Sequence, residues 1–76
     1  MKDKTLLTKL REEKGLTRAE LAEASGVNLR MIQKYENGAK DLSRAAYVTV
    51  YALASALEVN TEDLFDVNEL MYSGDN

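Results

Sequence analysis

The stretch LTRAELAEASGVNLRMIQKYENG, residues 16–38, decides how this chain is read. It holds two short helical patterns around a glycine. Thr17 is a good N-cap, and Glu20 three residues later completes a T-x-x-E capping box, which predicts a helix over 18–24. Leu21 and Ala22 face inward in that helix, with Ala24 as a third candidate. Ser25-Gly26 breaks it, because Gly26 can take a left-handed conformation at little cost. Asn28 then caps a second helix over 29–37, and Gly38 ends it. Two helices of about two turns, joined by a turn of roughly three or four residues with a glycine, are the outline of a helix-turn-helix.

Working outward, residues 4–14 carry Leu6, Leu7 and Leu10 at helical spacing, and Gly15 follows as a C-terminal cap. Beyond the motif, a polar stretch at 39–42 precedes Ser43, which is placed to cap a long helix running to residue 57. Ala46, Val50, Leu53, Ala54 and Leu57 form its inward stripe. The opposite face, Val48, Tyr51, Ala52 and Ser55, has no charge. A helix uncharged all round usually has cover on both sides, here the tail or a second copy of the chain. A short fifth helix is predicted over 62–66, with Leu64 and Phe65 inward and Thr61 or Asn60 as its cap. Glu62 and Asp63 suit the positive end of its dipole. The expectation is an all-α, compact five-helix bundle in one domain, residues 1–66, with the motif at 17–37. Val67, Leu70, Met71 and Tyr72 make the tail, 67–76, apolar enough to pack on the fourth helix or in a dimer interface.

The 76 residues leave room for one domain, and folding would bury about 60% of the unfolded surface, so the core is small. There is no cysteine and no histidine, which excludes disulfides, thiolate or imidazole metal sites, the Ser/His/Asp triad and the Cys/His dyad. Proline is absent and glycine numbers 4, which favours helices joined by short turns. Neither a signal-peptide core nor a run long enough to span a bilayer is seen, so a cytoplasmic protein with no membrane partner is expected.

A net charge of −3 argues against nucleic acid when taken as a mean. Its distribution argues otherwise. All 10 lysines and arginines lie in residues 1–44 against 7 acids, a balance of +3, whereas 45–76 carry 6 acids and no base. The chain is polarised, with a basic front half suited to an anion and an acidic back half.

The second motif helix shows where the anion would meet the chain. Counting about 100° per residue from Ile32 and taking Ile32 and Tyr35 as the buried side, Arg30, Gln33, Lys34 and Asn37 fall within roughly 50° of the opposite direction. None of the four is acidic, and Glu36 sits on the flank near the core. Arg and Lys can reach guanine O6 and N7 in the major groove, and Gln can pair with adenine.

These residues resemble the helix-turn-helix of the Xre/Cro/C1-type family of bacterial and phage repressors. The likeness lies in the LT opening, ELA in the first helix, the glycine turn with Val27, Ile32, and the closing ENG. It extends back to LREEKG (10–15) and forward to VYALASALEVNTEDLF (50–65), and so covers about 60 of the 76 residues. The resemblance implies a compact five-helix domain of the lambda-repressor-like type that binds double-stranded DNA operators as a two-fold dimer, the second motif helix entering the major groove. It makes Asn28, Leu29, Arg30, Gln33 and Lys34 the base-reading positions. It puts Arg18, where the family commonly has glutamine, on a phosphate at the first motif helix, and Asn37, Lys40 and Arg44 on the backbone. Arg11 and Glu36 match a structural ion pair of the family.

The chain departs from that pattern at two places. Leu29 stands where relatives often carry a polar base reader, so either it meets a thymine methyl or it closes the core edge or binds a protein. Asp41 lies near the expected phosphate path, where it would repel DNA and keep affinity modest.

No other chemistry competes. Glu12-Glu13 and Glu62-Asp63 are adjacent carboxylates that point about 100° apart on a helix, so neither pair is a shared acid/base site. No phosphate-cradling or calcium loop is present, and no cofactor, metal or catalytic residue is expected. Tyr35, Tyr47, Tyr51 and Tyr72 are read as core or dimer packing rather than as platforms for single-stranded bases. The function expected is a sequence-specific DNA-binding transcriptional regulator, a homodimeric repressor acting by promoter occupancy. The alternatives are the antitoxin of a toxin–antitoxin pair, whose acidic C-terminal half covers a basic protein partner, and a protein-interaction module on the same fold.

Overall fold

The computed structural model describes residues 4–65. Helix α1 spans Leu6–Lys14, α2 Arg18–Ser25, α3 Leu29–Glu36 and α4 Tyr47–Leu57; 3-10 turns lie at Leu42–Arg44 and Thr61–Leu64. No strand occurs among the described residues, and no described helix is long and apolar enough to cross a membrane.

The first three helices start on side-chain caps. Thr5 Oγ1 accepts the Thr8 N–H at 3.2 Å and Thr17 Oγ1 the Glu20 N–H at 3.0 Å, while Glu20 Oε1 returns a bond to the Thr17 N–H at 2.8 Å. Asn28 Oδ1 accepts the Arg30 N–H at 2.8 Å. Helix α2 ends on Gly26, whose φ of 76° puts it in the left-handed region and turns the chain toward α3.

Leu7, Leu21, Ile32, Tyr35, Val50, Leu53, Ala54, Leu57 and Leu64 make one core. Leu21, Ile32 and Leu53 lie fully inside it, from α2, α3 and α4, each worth about 1.5–3 kcal/mol of transfer energy. Helix α4 packs on α2 and on the second 3-10 turn, and α3 packs on α2 and α1. That arrangement buries one side of α3 and turns its other side to solvent.

Four expectations change. The bundle has four α-helices among the described residues, not five: the predicted fifth helix is a 3-10 turn, and Phe65 after it is extended at φ −128°. Leu64 is buried and Phe65 packs half-buried against the core, so two adjacent apolar residues rather than a helical stripe hold this segment, too little to support further helical turns. Asp66 and the tail, 67–76, lie outside the described residues.

Helix α4 begins at Tyr47 on Ala46, not on Ser43. Asp41 Oδ1 takes both the Ser43 N–H at 3.0 Å and the Ser43 hydroxyl at 2.7 Å, so Ser43 is drawn into the first 3-10 turn and Ala46 is left exposed outside the stripe. Ala24 is exposed as well, since Leu21 and Ala22 take up the inner side of the short α2.

Candidate nucleic-acid interface

Local chemistry sets the pose of α3. Its N-terminus is held by Asn28, and its inner side by Ile32 at 0% and Tyr35 at 7% exposure. Leu29, Arg30, Gln33 and Lys34 are all exposed, and neither Arg30 nor Lys34 makes an ion pair with another described residue. Two cations and an amide thus project from a helix of 8 residues, about 12 Å long, the width of a B-DNA major groove.

The expected site residues do not all gather at one place. Asn28, Leu29, Arg30 and Gln33 line a common hollow. Leu29 and Gln33 also border a second one with Arg11, Thr17, Arg18 and Ala19 at the start of α2. Leu29 is 39% exposed between the two, an apolar rim rather than a core residue.

Asn37 ends α3, and its Oδ1 accepts the Ala39 N–H at 2.9 Å, so the side-chain amide N–H groups are what it can offer a ligand. Lys40 is tied back to α3 by its own N–H on the Lys34 carbonyl at 3.1 Å. Its neighbours are Lys4, Lys9, Asp41 and Tyr35 around a groove beside α1, rather than the α3 hollows. Arg44 is exposed at the end of the first 3-10 turn and borders none of these hollows. The Asp41 carboxylate is occupied locally, and the hydrogen bonds from the Ser43 hydroxyl and N–H hold it below the usual aspartate range.

Behind the interface, Arg11 and Glu36 meet through Nε–Oε2 at 2.7 Å and Nη2–Oε1 at 3.2 Å. Burial acts to raise the Glu36 carboxyl, but the hydrogen bonds from Arg11 and Arg18, and then their charges, outweigh it and hold the group below the usual glutamate range. The Arg11 guanidinium is pushed up in turn, first by its hydrogen bond to Glu36. Arg18 completes the cluster with Nε on Glu36 Oε1 at 2.9 Å, a partner the residue order did not reveal. Positions 18 and 36 belong to different helices and no periodicity links them. The only hint was an acid at the core flank of an otherwise basic helix.

A helix-turn-helix family model, HTH_3, matches residues 7–64. Among solved structures, the chain is similar to the restriction-modification controller protein C.AhdI from Aeromonas hydrophila, with 32% identity, a TM-score of 0.71, and coverage of 79% of this chain and 86% of that one. No curated protein matches.

Proposed function

The chain belongs to the helix-turn-helix family of Xre and lambda-repressor-like DNA-binding transcriptional regulators, and from that membership we propose that it is a homodimeric repressor that occupies a palindromic promoter site. The observation that carries the reading is the outward row Arg30, Gln33 and Lys34 on α3, long donors with no competing ion pair among the described residues. Asn28 and Leu29 complete the base-reading set, Leu29 against a thymine methyl. Arg18, Asn37, Lys40 and Arg44 hold the sugar-phosphate backbone and set the register. No catalytic step is involved; occupancy of the promoter blocks the polymerase. Support for a gene-control role comes also from the likeness to a restriction-modification controller.

The second copy would cover the outer face of α4. Tyr47, Val48 and Tyr51 are exposed there at 72%, 70% and 55%, and the two tyrosine rings stack with centroids 6.1 Å apart. An uncharged aromatic patch of this kind is enriched in protein interfaces.

Selection from a random duplex library tests the proposal, with Arg30→Ala/Lys34→Ala run beside the parent. The parent is expected to enrich a palindrome and the double variant to enrich nothing, with its thermal midpoint unchanged. If the parent enriches nothing while folded, α3 is a scaffold and the chain acts through a protein partner instead.

A further inference from the structure

Glu36 binds two arginines with a carboxylate that is 2% exposed, and it uses them differently. Arg11 is spent inside the domain. Its Nε and Nη2 go to Glu36, its Nη1 donates to the Leu16 carbonyl at 2.8 Å, and its side chain is 10% exposed. Arg18 is gripped by Nε alone, its side chain is 51% exposed, and neither Nη group has a partner among the described residues. Arg11 is matched by Glu36 and by Glu12, 4.0 Å from its Nη2, whereas Arg18 meets Glu36 only through Nε, and its exposed end sits at the rim of the hollow that it shares with Leu29 and Gln33.

We propose that Glu36 is a positioning residue for DNA binding: anchored by Arg11, it holds Arg18 through Nε so that the Nη1–Nη2 edge faces a backbone phosphate at the start of α2. This rests on the DNA reading above. The physical gain is preorganisation. A free arginine loses rotamer freedom when it clamps a phosphate, whereas one already held by a buried carboxylate has lost most of it on folding. A guanidinium is the side chain that can do both jobs, because its planar fork offers separate edges to the carboxylate and to the phosphate. A lysine has one nitrogen. Beside Glu36 it would satisfy the buried acid and withhold its charge from the DNA.

The test is a titration of the selected duplex with parent, Arg18→Lys and Arg18→Gln over a range of salt, each checked for folding by circular dichroism. Both variants are expected to bind about tenfold more weakly, as loss of one charged hydrogen bond implies. Both should also flatten the slope of log K against log salt by about 1, the share of one phosphate. Arg18→Lys keeping the parent's affinity and slope overturns the inference, since any cation would then suffice. Arg18→Gln keeping them overturns it too, since Arg18 would not touch DNA. Arg30→Ala/Lys34→Ala on the same duplex separates the two readings. If that pair abolishes binding while the Arg18 variants bind normally, positioning falls and DNA binding stands. A parent that binds no duplex removes both.

Discussion

In the N-terminal half, Thr5, Thr17 and Asn28 each cap a helix with a side-chain oxygen, and charge lines the outward faces; α4 begins on Ala46 with no side-chain cap, and its outward face is aromatic and uncharged. The first half can be read residue by residue because its turns are local chemistry. The second is held by burial, through Val50, Leu53, Ala54 and Leu57, and its exposed side carries Tyr47, Val48 and Tyr51 in place of charge. Under the function proposed above, DNA contact falls to the first half and self-association to the second.

The largest expected effect tests whether the front half depends on Glu36, the one buried acid among the described residues. Glu36→Gln should cost about 3 kcal/mol at neutral pH, because Arg11 keeps its charge in a buried site with a neutral partner. The same residue sets an acid limit. Its folded pKa lies below the unfolded value, so its contribution is complete above the usual glutamate range and is lost as pH falls through the folded pKa. Urea denaturation of the parent should therefore show stability level down to about pH 5 and then falling. The Glu36→Gln chain should lose less over that same acid range; an identical acid loss would show that the pair adds nothing.

A similar magnitude is expected from the back half, read through DNA rather than stability. Tyr47→Ser/Tyr51→Ser should leave the fold intact and reduce affinity for a full palindrome by about a hundredfold through lost avidity, while affinity for an isolated half-site stays the same. Sedimentation should show the parent as a dimer and the variant as a monomer. A parent that stays monomeric at high micromolar concentration ends the assignment of α4 to self-association.

The smallest effect concerns the point where the back half departs from good local chemistry. Glu58 ends α4 at φ 60°, a left-handed position that disfavours every residue with a Cβ. Glu58→Gly should add about 0.5–1 kcal/mol, net of the exposed Lys14–Glu58 ion pair it removes. A lower thermal midpoint would show that this ion pair outweighs the backbone strain.

What the residue order determined was the set of features a few neighbours can decide. The Thr17–Glu20 capping box, the left-handed Gly26, the Asn28 cap and the outward row of α3 all follow from spacings of two to four residues, and the structure has each of them. Tertiary structure alone decided the rest. Asp41 captured Ser43 and moved the start of α4, and the region after Asn60 stopped at a 3-10 turn because the adjacent Leu64 and Phe65, not a helical stripe, meet the core. Arg18 found Glu36 because packing α3 on α2 brought residues 18 positions apart to 2.9 Å. A cap needs only its own turn of backbone to be right, whereas a buried ion pair between helices exists only once the core has placed both helices, so no local pattern announces it.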